Sequence, residues 1–286
     1  MMQVPVASVP MLQTTRLELS GEDRAVLRDA VERLEHTNLA HRLAAALGQQ
    51  ISRVAKLMPV QISGAVDKAA ESAIRAALRV AMGSLKTGRR QQRRGMHKAV
   101  ATASGAAGGA FGLVSLPLEL PFSTIVMLRS IAAIAQAEGE DLSAPETGFA
   151  CLQVFALGTA SEARPFTESS YFAVRTLLAK SVSEAAHFVV ERGISEESAP
   201  VILKLVSQIA TRFGVVVSQK LAAQAVPLIG AAGGAAINYA FIDHFQSVAR
   251  GHFAVRRLER IYDADVVRNE YEKLRAEILA RRSSSE

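Results

Sequence analysis

Apolar residues recur along this chain at intervals of three and four, and no stretch shows the period-two alternation of a strand, so the pattern predicts helices throughout. Residues 1–19 lack that period and read as a flexible tail. Ser20, with Asp23 three residues on, makes a capping box-like start to a helical stretch from Glu22 to about Leu57. That stretch is broken near Thr37–Asn38 or Gly48 and stopped by Pro59. From Ile62, the positions Val66, Ala69, Ala73, Ala77, Val80 and Leu85 mark an amphipathic helix that ends where 86–95 turns polar. A Gly/Ala-rich run over Ala99–Leu118 follows. It closes in Leu116-Pro117-Leu118-Glu119-Leu120-Pro121, which predicts a corner, because the prolines interrupt a regular helix. Further helices are expected at Phe122–Ala137, Ser143–Gly158 with Ser143 and Glu146 as its cap, Ser169–Glu191, Ala199–Ala225, Pro227–Leu258 and Ala264–Arg281.

The hexapeptide Gly-Ala-Ala-Gly-Gly-Ala occurs twice, at Gly105–Ala110 and Gly230–Ala235, but with unlike flanks, so the chain is not a repeat protein. Gly105, Gly109, Gly112 and Leu116 share one helical face, as do Gly230, Gly234, Ile237 and Phe241, and the two small-residue faces are expected to cross closely. Ala99–Leu118 and Leu221–Ile242 each lack charge over the length a bilayer span needs. The strongly apolar residues of the first run sum to only about 2–3.5 kcal/mol of insertion free energy, set against Thr102, Ser104, Ser115 and its glycines. Both readings therefore stay open, a soluble bundle that touches membranes and a helix pair that inserts together.

Of the 286 residues nearly half are apolar, only 5% are aromatic and none is Trp, so burial rests on Ala, Leu, Val and Ile. The lone Cys151 excludes a disulfide framework or multi-Cys metal site, and its apolar context predicts a buried, inert thiol. The N-terminus has no basic start or unbroken apolar core, so a cytoplasmic protein is expected. The net charge of +6 is unevenly spread, since no Asp or Glu lies between Glu71 and Glu119. Arg75, Arg79, Lys86, Arg89, Arg90, Arg93, Arg94 and Lys98 fall in that gap. Lys86 to Lys98 form a candidate site for an anionic membrane surface, with a solvated basic loop as the plain alternative. Nucleic acid is a weaker partner, because no aromatic residue interleaves this run to stack on bases.

Catalytic signatures are sparse. Gly83 and Gly88 have phosphate-loop spacing, but Arg89 and Arg90 stand where Lys and Ser or Thr are required. There is no HExxH, GxSxG or CxxC. Glu184 and His187 make a single ExxH, one half of a di-iron pattern, and read as a helix-surface pair. Neither a metal nor any other cofactor is expected. His244 and His252 lie about 80° apart around a helix and cannot share one ligand. Glu119 and Arg129 are isolated charges in apolar surroundings, and each needs a partner or water. A structural ion pair at the proline corner is the expected reading, a functional pocket the other. Glu119, Arg129, Asn238, Asp243 and His244 are the candidate polar site.

The motifs Leu116–Pro121, Met127-Leu128-Arg129-Ser130-Ile131-Ala132, Glu138-Gly139-Glu140-Asp141, Cys151–Gly158, Arg212-Phe213-Gly214-Val215-Val216, Pro227–Asn238, Ile242-Asp243-His244-Phe245 and Ala249–Phe253 together resemble the bacterial EcsC family. The resemblance covers roughly Asn38–Tyr262. That leaves 1–19 as a tail, 20–37 as an N-terminal helical extension, 38–262 as the EcsC-like domain, and 263–286 as a C-terminal helix with a frayed end. The family takes its name from a gene beside an ABC transporter linked to secretion, and some members carry a peptidase label without a recognised catalytic set. The resemblance therefore implies an accessory role at a membrane or beside a transporter, and it supplies no catalytic residues. The expectation is an all-α, single multi-helix bundle with a close-packed Gly/Ala-rich helix pair. Its expected function is to bind a lipid surface or membrane protein, possible partners including an ABC transporter. The alternative is a peptidase-like hydrolase with an unfamiliar site.

Overall fold

A computed structural model describes residues 18–35, 39, 42–43, 60–86, 116–159, 170–193, 199–224 and 230–284. These hold eight helices and no strand: α1 Gly21–Glu35, α2 Val60–Lys86, α3 Leu116–Ala137, α4 Pro145–Leu157, α5 Ser170–Arg192, α6 Pro200–Gln224, α7 Gly230–Ile261 and α8 Ala264–Ser283. The expected all-α bundle is what forms.

Local chemistry sets the ends. Ser20 Oγ accepts from the Asp23 amide at 3.1 Å and donates to the Asp23 carboxylate at 2.9 Å, so Ser20 caps α1 as predicted, but the reciprocal half of the box is absent because the Ser20 amide donates to Tyr262 Oη at 3.2 Å. At α4 the prediction is corrected. Ala144 is the N-cap and makes no side-chain cap bond, while Ser143 bonds instead to Asp141 Oδ1 through its amide and hydroxyl. Pro145, whose ring presets the helical φ and whose missing N–H costs nothing in a first turn, starts the helix. The proline corner is also corrected, since α3 runs through Pro117 and Pro121. Pro117 occupies the first turn, and Pro121 comes so early that only one helical carbonyl loses its donor.

Contacts establish how the helices run. Lys220 of α6 meets Asn238 of α7, and Phe213 meets Phe241 and Phe245, so these two are antiparallel. A Cβ on Gly214 would touch Val66 and Ala70, whereas Leu203 and Val206 face Leu78 and Arg79, so α2 is antiparallel to α6. Glu119 reaches Lys220 at one end of α3, and Glu138 and Glu140 reach Arg256, Arg257 and Arg260 beyond the other, which makes α3 parallel to α7. Thus α2, α3 and α7 run one way and α6 the other. Helix α2 packs chiefly on α3 and α6, which makes α3, α2 and α6 one layer of the bundle.

The core is aromatic where α4, α6 and α7 meet. Phe155, Phe213, Phe241 and Phe245 interlock in edge-on and tilted pairs with centroids 5.2–6.2 Å apart. Gly158 is required there, since a Cβ would come within 2.6 Å of Phe245 Cε1. Cys151 is buried in α4, and burial pushes its thiol up to about 12, so it is inert as expected. The expected crossing of the two Gly/Ala faces involves Gly105, Gly109 and Gly112, which lie outside the described residues. On the second face Gly230 opens α7, and Gly234, Ile237 and Phe241 are buried.

Candidate functional site

At the end of the bundle where α3 and α7 begin, one cation is buried among apolar side chains. Lys220 shares the core face of α6 with Phe213, Val216 and Val217, and only 3% of it is exposed. Its ammonium donates to Glu119 Oε1 at 3.0 Å and to Asn238 Oδ1 at 3.3 Å, and it lies 4.9 Å from the centre of the Phe241 ring. Carboxylate, amide oxygen and ring face account for its three N–H directions. Glu119 stands in the first turn of α3, where the helix dipole also favours a negative charge.

Glu119 and Asn238, both candidates from sequence, are therefore brought together, but by Lys220, which sequence reasoning missed. The signal available was a lone cation three residues after Val217 on an otherwise apolar stripe. The expected Glu119–Arg129 pair does not form. Ten residues separate them on one continuous helix, and Arg129 is exposed. Asp243 pairs with Arg42 on the other side of α7. His244 donates from Nε2 to the Gly158 carbonyl at 2.8 Å, and its buried Nδ1 has no partner among the described residues. Burial lowers its pKa to about 4, so the ring is neutral. The five candidates thus divide among four separate environments. Of the basic candidates, Lys86 closes α2, whereas Arg89, Arg90, Arg93, Arg94 and Lys98 lie outside the described residues.

A second polar network joins α1, α5, α7 and α8. Tyr171 Oη and His252 Nδ1 are 2.9 Å apart, and both residues are wholly buried. Arg175 donates to Tyr171 Oη at 3.3 Å and clasps Glu259 through two bonds of 2.7 and 2.6 Å. With Arg175 donating, the phenol gives its own proton to Nδ1. Burial, reinforced by Arg175 and Arg256, holds His252 well below the usual imidazole range and keeps it neutral. Burial likewise pushes the Tyr171 phenol up to about 12. A neutral, solvent-free His–Tyr pair cannot exchange protons with a substrate, and it serves to orient α5 on α7. Glu184 pairs with Lys180 at 3.8 Å and His187 is exposed. No group of three metal-ligating side chains occurs among the described residues.

Two shallow cavities of about 220 Å³ each open on the surface, one beside Phe172, Arg175 and Arg268, the other between α2 and α6. Neither contains the five polar candidates. Among the described residues the apolar helices long enough to cross a bilayer are α3, over Glu119–Ala137, and α6, over Pro200–Gln224. Neither was among the charge-free runs expected from sequence, because each carries charges that break such a run.

No curated protein and no solved structure matches the chain. The model of the EcsC protein family does, over residues 24–258, a span that takes in most of α1. With the greater part of its length matched, the chain belongs to the EcsC protein family.

Proposed function

We propose that the protein is a non-enzymatic, membrane-associated accessory protein that lies on an anionic lipid surface. The α3–α2–α6 layer and the basic 86–98 segment would form its contact, beside a membrane partner such as a transporter. The observation that carries this reading is the pairing of high hydropathy with incomplete burial. Over the most apolar eighteen residues within Glu119–Ala137 and within Pro200–Gln224 the mean hydropathy is 1.4 and 1.5, yet only 39% and 50% of those stretches are buried. Phe122 and Val215 are among the large apolar side chains they leave open, at 43% and 45%. Between them, α2 presents Lys68, Arg75 and Arg79 outward, within about 40° of one another around the helix. Apolar flanks around a cationic stripe suit a bilayer interface, where apolar insertion and attraction to anionic headgroups add.

Co-sedimentation with vesicles tests this. The protein should pellet with phosphatidylglycerol-containing vesicles, less in high salt, and remain in solution with pure phosphatidylcholine. Neutralising Arg89, Arg90, Arg93 and Arg94 to Gln should weaken partitioning several-hundredfold, at about fivefold per basic residue. Wild-type protein left in the supernatant with anionic vesicles would refute the proposal.

A further inference from the structure

From the cavity between α2 and α6 we infer a binding site for one anionic phospholipid, its phosphate held by Arg79 and Lys204 and the start of an acyl chain laid on Leu78, Leu203 and Val206. The inference rests on the membrane reading above and names the place where a lipid is held.

The argument begins with charge. Helix α6 contains no Asp or Glu, and α2 contains none after Glu71, so the charges that these two helices themselves add along this stretch of the groove beyond Glu71 are positive. Arg75 is engaged, its guanidinium donating to Glu71 at 3.1 and 2.6 Å. Arg79 lines the cavity, Lys204 follows Leu203 on the exposed outer face of α6 within reach of its rim, and neither makes an ion pair among the described residues. The floor is apolar, since Leu78 and Val206 are 3% and 2% exposed and Leu203 is half-buried between them. A free phosphate would use the cations and leave the floor wet, and a neutral apolar ligand would leave the cations without a counter-charge. An amphiphile with an anionic head satisfies both. A volume of about 220 Å³ accommodates a phosphate and the first methylenes, with the rest of the tails in the bilayer. Placement agrees, because the groove lies on the half of α2 that leads into the basic segment.

The absence of Trp permits a direct test. Leu203→Trp places a single indole on the groove floor. Vesicles of phosphatidylglycerol brominated along the acyl chains should quench its emission, and inorganic phosphate or glycerol 3-phosphate should not alter it. Arg79→Gln combined with Lys204→Gln, both at exposed positions, should leave the melting temperature unchanged and weaken vesicle partitioning about thirtyfold, two basic side chains contributing about fivefold each. If the protein pellets with vesicles but the indole stays unquenched, or the double variant partitions like wild type, the groove is not the site while the membrane reading stands. Quenching or a spectral shift with the soluble phosphates would make the occupant a free phosphate and overturn the lipid assignment. Failure of wild type to pellet at all would remove the membrane reading and this site together.

Discussion

His244 and Lys220 are polar groups buried for opposite reasons, and they answer perturbation differently. His244 is neutral in the fold with a pKa of about 4, and in the unfolded chain it returns to about 6.5. Below that value the unfolded state takes up a proton that the fold refuses, so stability is complete above about pH 6.5 and declines as pH falls toward 4. The shift corresponds to about 3 kcal/mol at its full extent, and His252 acts in the same sense. Thermal melts between about pH 7.5 and 4.5 should show this decline, and His244→Gln, which still offers a donor to Gly158, should have a shallower one. An equal slope in the variant would rule out His244 as a source. Lys220 is charged and paired, so Lys220→Met strands the Glu119 carboxylate, whose side chain is 14% exposed. The expected loss in urea denaturation is about 3 kcal/mol, with part recovered in Lys220→Met/Glu119→Gln. A double variant no better than the single would mean that the ion pair is not what Lys220 contributes. Of this site Glu119 and Asn238 were legible as polar residues on apolar stripes. Their partner was not, because Lys220 lies 101 and 18 residues from them in sequence.

Helices of this chain meet through small residues as much as large ones. Gly251 lets α1 lie directly on α7, since a Cβ there would fall 2.8 Å from Leu34 Cγ and 3.2 Å from the Ala30 carbonyl oxygen. Leu34 could turn aside, but the backbone oxygen moves only with its helix. Gly251→Ala should therefore cost about 1–3 kcal/mol and lift α1 from α7. Faster amide exchange confined to Leu27–Leu34 is the expected signature, and unchanged exchange there would refute it. Element ends show where local rules compete. The turn after α3 follows them, with Gly139 at φ +82° and the Glu140 amide bonded back to Ala135, and it delivers Glu138 and Glu140 to the arginines of α7. At α4 two start signals overlapped, and Pro145 prevailed over Ser143 because Asp141 had already engaged the serine.

For the whole molecule, α8 closes the bundle. Tyr271 stacks on Tyr171 at 5.6 Å and donates to Glu35, while Arg24 and Arg28 of α1 hold Glu270 and Glu277. A chain ending at Asp263 would open Tyr171 and Phe172 to water and remove Tyr271 and Arg275 from the nearly buried Glu35. Its melting temperature should fall by about 10 °C or more in scanning calorimetry, a loss of several kcal/mol in a chain of this size. An unchanged melt would make α8 an appendage. The sequence by itself determined the helical class, most helix extents, the inert thiol and the uneven charge, because each follows from the nature and spacing of nearby residues. Only the tertiary structure decided that α2 lies between α3 and α6, that Lys220 joins Glu119 to Asn238, and that His244 and Asp243, adjacent in sequence, face different neighbours. Such pairings depend on how each helix is turned about its axis, and that is settled by packing against helices far away along the chain.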